Sequence, residues 1–173
     1  MRRVSLITAV LAASCRIAAA DVTNRDTLFT TVCIDYGVMG YEWRDGGWTP
    51  AQFHFNKRTL QKRDAASEEC ADSMKAAADL DGLFSDLSFG CYTMTDLGKA
   101  PVPAMACNEK WETAADGSES LATVTCTSAA TSEWILFEPS GTFDYASTAG
   151  NPARPGDDTK EPIILSVGEC NSG

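Results

Sequence analysis

Residues 133–147, EWILFEPSGTFDYAS, contain two short apolar runs separated by a Pro-Ser-Gly sequence. Alternating apolar residues in each run are typical of β-strands that bury one face. A three-residue loop with Gly141 in the left-handed conformation would set Phe137 directly opposite Phe143. The stretch therefore predicts an antiparallel hairpin with one strongly apolar face.

A second hairpin is predicted nearer the amino terminus. Residues 27–36, TLFTTVCIDY, alternate with a period of two and predict a strand. The following Asp45-Gly46 pair is a favoured two-residue turn, and its register sets Trp43 directly across from Trp48. A turn one residue later would break this tryptophan pair.

The period changes over residues 67–81, which predict the main helix of the chain. Ser67 suits the N-cap, the two glutamates that follow suit the positive end of a helix, and Gly82 can end it. The predicted apolar stripe consists of Cys70, Met74, Ala77 and Ala78. We expect the helix to pack by this stripe and to be tied to the domain through Cys70.

The remaining segments complete a single domain over residues 21–173. Residues 147–160 contain no large apolar residue and predict a long mobile loop, whereas residues 162–170 predict a last strand fastened by Cys170. The predicted fold class is a β-rich α+β domain with one main helix, stabilised by disulfides. Its sheet is antiparallel, and either an open sheet, a small barrel or a sandwich fits the pattern.

Residues 1–20 have the three parts of a secretory signal peptide. Two arginines are followed by a short apolar run and by the small residues Ala18 to Ala20. Cleavage after Ala20 would release a periplasmic or secreted protein. The alternative is a lipoprotein, in which Cys15 becomes the lipidated first residue and anchors the chain to the envelope. Either route removes Cys15 from the cysteines available for pairing.

Six cysteines remain, and in an oxidising compartment an even number predicts three disulfides. They are Cys33, Cys70, Cys91, Cys107, Cys126 and Cys170. Fifteen pairings are possible, and the sequence does not choose among them. No C-x-x-C motif occurs, and neither do the common phosphate, dinucleotide, zinc-protease or serine-hydrolase motifs. The sequence therefore assigns no catalytic residue, no metal ligand and no cofactor.

The charge of the domain is strongly negative. Residues 1–20 hold three of the 14 basic residues and none of the 24 acidic residues, so residues 21–173 carry a formal charge of −13. Nucleic acids and anionic membranes are excluded as favoured partners because both require positive charge. We expect a non-enzymatic binding or accessory module, inhibitor-like in that it would bind a basic protein. The alternative from another class is a secreted hydrolase that uses Asp and Glu carboxylates.

Two segments supply candidate binding residues. Tyr41, Trp43 and Trp48 would form an aromatic platform if exposed, although burial within a hairpin is the ordinary expectation. Lys57 and Arg58 belong to the run NKRTLQKR at residues 56–63, which could bind an anionic group. The ordinary expectation for such a run is a solvated edge.

Two further patterns do not predict a functional site. His54 is the only histidine, and its alternation with Phe53 and Phe55 predicts a solvent-facing strand residue without a catalytic role. Residues 77–88 resemble a calcium-binding loop, but the first and twelfth positions are alanine and serine in place of acidic residues. The end of the predicted helix explains the same segment.

Overall fold

The computed structural model describes residues 22–81, 87–128, 133–139, 141–147 and 162–172. Its strands are β1 (Thr30–Arg44), β2 (Gly47–Ala51), β3 (Lys57–Arg63), β4 (Ser88–Asp96), β5 (Met105–Thr113), β6 (Glu119–Ser128), β7 (Glu133–Phe137), β8 (Thr142–Ser147) and β9 (Ile163–Ser172). The helix α1 (Ala71–Asp81) lies between β3 and β4 and follows a 3-10 turn at Glu68–Cys70. Three predicted features lie outside the described residues, namely the predicted signal peptide with Cys15, the helix-ending Gly82, and residues 148–160 of the predicted loop.

The strands form an antiparallel barrel with one extra strand. Their order is β2-β1-β3-β4-β5-β6-β7-β8-β9, and β9 pairs back with β1. Eight strands therefore close on themselves, while β2 pairs with β1 alone. This confirms the β-rich fold with one main helix, and it identifies the barrel among the three architectures that the sequence left open.

The long strand β1 makes this arrangement possible. Residues 30–34 pair with β3, residues 40–44 pair with β2, and residues 31–41 pair with β9 on the other side of the strand. The β1–β2 hairpin thus extends beyond the closed barrel. Its turn is the predicted Asp45-Gly46 pair, both with positive φ.

Both predicted hairpin registers are confirmed, but Gly141 lacks the left-handed conformation predicted for it, and an added Cβ atom there would instead collide with Glu138. Trp43 lies opposite Trp48, and their rings meet edge to face with centroids 5.4 Å apart. Phe137 lies opposite Phe143, and both side chains are fully buried in the core. The period-two pattern and the turn residues were enough to predict these pairs, because the register of a hairpin is set by a turn that is local in sequence.

Three disulfides are present, as the cysteine count predicted. Cys33–Cys170 joins β1 to β9 at the seam of the barrel, and Cys107–Cys126 joins β5 to β6. Cys70–Cys91 ties the turn before α1 to β4. Such bonds persist in an oxidising compartment, either extracellular or periplasmic.

The helix differs from its prediction in two respects. Ser67 has the extended backbone of an N-cap, but its hydroxyl makes no capping hydrogen bond, and the helix begins as a 3-10 turn. The apolar stripe is narrower than predicted, because Ala77 is buried and Met74 half-buried while Ala78 is exposed. The helix packs its stripe on β4 and β5, where the Cys70 disulfide holds it.

Candidate functional site

Strand β3 points two basic side chains into the barrel. Arg58, Leu60 and Lys62 share its inner face and are 3%, 0% and 6% exposed. The expected solvated edge is therefore wrong for Arg58 and Lys62, although it holds for Lys57. Arg58 and Lys62 point inward because they share the strand face of the buried Leu60, and each forms an ion pair with a carboxylate. The two basic residues lie about 13 Å apart along the strand. We name the Arg58 end of the barrel the mouth and the Lys62 end the base.

Arg58 is the centre of a buried ion cluster at the mouth. Its Nη1 atom donates to Asp35 Oδ1 at 2.5 Å and to Ser166 Oγ at 3.1 Å. Its Nε atom lies 3.2 Å from Asp96 Oδ1. The guanidinium stacks over the Tyr145 ring, with 3.8 Å from Cζ to the ring centroid. One arginine thus holds two carboxylates together inside the barrel.

A pocket of about 230 Å³ opens over this cluster, and we name it the mouth pocket. Arg58, Asp35 and Asp96 line it together with the aromatic rings of Phe53 and Phe55. The Phe55 side chain is 67% exposed. The pocket therefore combines charged side chains with apolar walls, the usual composition of a small-molecule site.

His54 lies at this pocket, but it is not on a strand. Residues 52–56 connect β2 to β3 without strand pairing, so the predicted strand position of His54 is wrong, while its exposure is confirmed. The connection turns back tightly beside β1. A Cβ atom added to Gly40 would lie 2.7 Å from the Phe53 ring and 2.2 Å from a β9 carbonyl oxygen. Glycine at position 40 lets Phe53 pack against the strand.

A second buried ion cluster lies at the base. Lys62 Nζ is 2.7 Å from Glu109 Oε1 and donates to the backbone oxygen of Arg25 at 2.6 Å. Tyr92 Oη and Trp111 Nε1 donate to the two oxygens of Glu109, at 2.7 and 3.1 Å. Burial, and then the charge of Glu109 and the hydrogen bond to it, raises the pKa of Tyr92 far above its ordinary value.

The segment before β1 covers the base. The Val22 side chain is buried, and its carbonyl oxygen accepts a hydrogen bond from the Leu121 N–H at 3.0 Å. Arg25 pairs with Glu119 and lies over the Trp111 ring, 5.3 Å from its centroid. Two pockets of about 640 and 450 Å³ flank this segment. At this end the buried charges are satisfied by the protein itself.

The outside of the barrel carries a continuous set of exposed apolar side chains on β1 and β9. They are Ile34, Tyr36, Met39, Tyr41, Leu165 and Val167, and we name them the outer apolar face. The register makes the face continuous, since Met39 lies directly opposite Leu165 and the Gly37 position opposite Val167. Met39 is the most exposed of the six, at 67%. Single exposed apolar residues are ordinary, whereas a connected set of this kind makes the face a candidate interaction surface.

The structure divides the predicted binding residues between these two sites. Tyr41 belongs to the outer apolar face, and Trp43 and Trp48 lie half-buried on the hairpin beside it. Lys57 is exposed and pairs with the Ile34 position at the edge of that face. Arg58 lies inside the barrel at the mouth pocket.

The expected burial is wrong for Tyr41, which is 47% exposed, and the nearby Tyr36 is 59% exposed. The exposure of Met39, Leu165 and Val167 was not predicted from the sequence. Their signal was available, because the last strand has apolar residues on both faces of its alternation. A strand with water on one side normally has polar residues there.

Acidic side chains flank the outer apolar face. Asp144 pairs with the Val167 position and Glu169 with the Ile34 position, and both are exposed. Asp45 lies exposed in the hairpin turn. The apolar surface therefore has a negatively charged margin on the β8–β9 side.

The free edge of β2 is protected against a further strand. In the two-residue hairpin the Arg44 and Gly47 positions exchange hydrogen bonds, so Pro50, three residues further on, directs its nitrogen to the free edge. Proline has no N–H to donate, and its presence on an edge blocks strand addition. The free edge of β2 is therefore unfavourable for strand addition.

No helix among the described residues is long and apolar enough to cross a membrane. Nor does the described part of the chain bring together three or more His, Cys, Asp or Glu side chains that could hold a metal ion. Comparison of the chain with protein-family models, with curated proteins and with solved structures finds no match.

Proposed function

We propose that the protein is an exported, non-enzymatic binding module that docks its outer apolar face onto a basic partner protein. The observation that carries the proposal is the continuous exposure of six large apolar side chains across β1 and β9. Aromatic and methionine side chains are enriched in protein interfaces, and this face contains Tyr36, Met39 and Tyr41. A protein partner would remove this surface from water.

The charge distribution supports a basic partner. Residues 21–173 carry 24 acidic and 11 basic residues, and Asp144 and Glu169 lie at the margin of the outer apolar face. Complementary charge at the rim of an interface speeds association and selects the partner. An inhibitor-like or accessory role toward a basic protein follows from this combination.

Export is part of the proposal. The signal peptide at residues 1–20 would be cleaved after Ala20, and the three disulfides support an oxidising destination. Lipidation at Cys15 is the alternative, and it would make the protein an anchored envelope component. The mass of the mature amino terminus separates the two, because a peptide that begins at Asp21 excludes lipidation.

A hydrolase is the second candidate function, because Asp35 and Asp96 share the mouth pocket. Both carboxylates are bound by Arg58, however, which supports a structural role for the pair. Activity on glycosides or esters that is lost in Asp96→Asn, with the fold retained, would favour the hydrolase. A binding module shows no such activity.

The docking proposal is tested by site-specific cross-linking in the organism that makes the protein. A photoreactive residue replaces Met39 on the outer apolar face or, as a matched control, Leu97, which is 73% exposed and lies outside that face. We expect one basic protein to be cross-linked from position 39 and not from position 97. Equal products from both positions, or an acidic or lipid product, would refute the proposal.

Purified components then test the interface directly. Met39→Asp should weaken binding of the identified partner at least tenfold, whereas Leu97→Asp should leave it unchanged. Added salt should slow association because the rim charges steer the encounter. A partner that binds Met39→Asp as tightly as the unmodified protein does not use this face.

A further inference from the structure

We propose that the mouth pocket is a separate binding site for a small, uncharged polyhydroxyl ring, such as one monosaccharide unit. This inference is independent of docking at the outer apolar face, because it rests on the interior side chains at the mouth. Four features of the pocket carry it: its charge balance, two polar atoms at its floor, its aromatic walls and its size.

The charges at the pocket cancel. Arg58 and Lys99 supply two positive charges, and Asp35 and Asp96 supply two negative charges. Lys99 Nζ lies 2.9 Å from Asp96 Oδ2, so both acids are ion-paired. A small cation or anion would meet as much repulsion as attraction, which favours a ligand without charge.

Two polar atoms at the floor have no hydrogen-bond partner within the described structure. They are Arg58 Nε and Asp96 Oδ1, which are both buried and lie 3.2 Å apart without the alignment of a hydrogen bond. Arg58 Nε is a donor and Asp96 Oδ1 an acceptor. Both atoms are closed to solvent while Lys99 pairs with the other carboxylate oxygen of Asp96. A hydroxyl group both accepts and donates, so one hydroxyl could satisfy both atoms once Lys99 moves aside.

The walls of the pocket suit the apolar face of a ring. Phe53, Phe55 and Tyr145 line it, and Phe55 leaves 67% of its surface exposed at the rim. An exposed aromatic side chain beside a polar pocket is typical of a ligand-binding groove. A saturated ring with hydroxyl groups at its edge can pack its C–H groups on these rings while its edge reaches the floor.

Size and access limit the ligand to one ring. The pocket volume of about 230 Å³ lies below the roughly 300–1,000 Å³ of sites for drug-sized ligands. The Lys99 side chain is 70% exposed, and an ion pair with so exposed a member holds its partner weakly. Lys99 can therefore swing away and admit a hydroxyl to Asp96.

The test is a titration of the full disulfide-bonded protein, followed by amide NMR. The probes are D-glucose, D-galactose and N-acetyl-D-glucosamine, with sodium acetate, methylammonium chloride and acetamide as the charged and amide comparisons. We expect saturable shift changes over residues 53–56 and 96–99 with at least one sugar, and none with the ions. Saturation by acetate, methylammonium or acetamide alone, or by no sugar at its solubility limit, would overturn the proposal.

Variants locate the site without disturbing the ion cluster. Phe55→Ala should weaken sugar binding at least tenfold, whereas Leu28→Ala, which removes a similarly exposed apolar side chain at the base of the barrel, should leave it unchanged. Met39→Asp should also bind sugar normally, which separates failure of this site from failure of the outer apolar face. Sugar binding that is unaffected by Phe55→Ala would place the ligand elsewhere and refute the assignment.

Discussion

Cys33 and Cys170 lie directly opposite each other on β1 and β9, with their Cα atoms 4.0 Å apart. Their disulfide therefore closes the barrel covalently at the seam where the first and last strands meet. The bond spans 137 residues, whereas Cys107–Cys126 spans 19 residues between two consecutive strands. The two bonds thus constrain the unfolded chain to very different extents.

Removal of the seam disulfide should cost more stability than removal of the short one. Loss of loop-closure entropy predicts about 5 kcal/mol for Cys33→Ala with Cys170→Ala, against about 3 kcal/mol for Cys107→Ala with Cys126→Ala. The free energy of unfolding from urea titration measures both. Equal losses, or a larger loss for the short bond, would contradict this order.

The same three bonds show what the sequence could and could not predict. An even number of cysteines in an exported chain predicts that three disulfides form, because only oxidation and parity matter. Their pairing depends on which strands become neighbours, and the contact of β1 with β9 joins residues that are more than 120 positions apart. Local patterns predicted the hairpins, and nothing local encodes the closure.

The buried pair Lys62–Glu109 at the base should be strongly coupled. Glu109→Gln leaves the Lys62 ammonium without its counter-charge in a site that is 6% exposed, so we expect a loss of about 3–5 kcal/mol. Adding Lys62→Met to that variant should recover part of the loss, because the uncompensated charge is removed. Urea unfolding of the single and double variants measures the coupling.

The neighbouring exposed pair Lys110–Glu112 is the matched control. Its side chains are 67% and 63% exposed, so breaking the pair should cost under about 1 kcal/mol. Additive effects at Lys62 and Glu109, or a loss at Glu109 no larger than at Glu112, would show that the base cluster does not act as a buried ion pair.

The candidate sites were harder to predict than the fold. The alternation in KRTLQKR sets Arg58 and Lys62 on the face of Leu60, and this was the only sign that they turn inward. The mouth pocket forms only when Asp35 and Asp96, from two other strands, reach Arg58. A charged run is usually solvated, and its burial depends on partners that are distant in sequence.

The turn of the β1–β2 hairpin should depend on Gly46 but not on Gly47. Gly46 has φ +80°, and a Cβ atom in the left-handed region costs about 1–2 kcal/mol. In Gly46→Ala, heating should therefore abolish the near-ultraviolet circular dichroism of the Trp43–Trp48 pair at a lower temperature than in the unmodified protein. Gly47→Ala, where the added Cβ meets open space and φ is not positive, should have little effect. Equal responses to the two substitutions would refute this account of the turn.

Two buried tyrosines predict how stability changes at alkaline pH. Burial and the neighbouring Glu109 raise the pKa of Tyr92, and burial followed by a hydrogen bond to Glu133 raises the pKa of Tyr145, both from an ordinary value of 10.0. The folded protein thus keeps two protons that the unfolded chain releases above about pH 10. The free energy of unfolding is unaffected by these groups below that pH and falls as the pH rises above it, by up to about 1.4 kcal/mol per pH unit for each tyrosine.

Urea unfolding at a series of alkaline pH values measures the slope, which should be about half as steep in Tyr92→Phe because one of the two protons is gone. A slope that is the same in both proteins would mean that Tyr92 ionises as readily when folded as when unfolded.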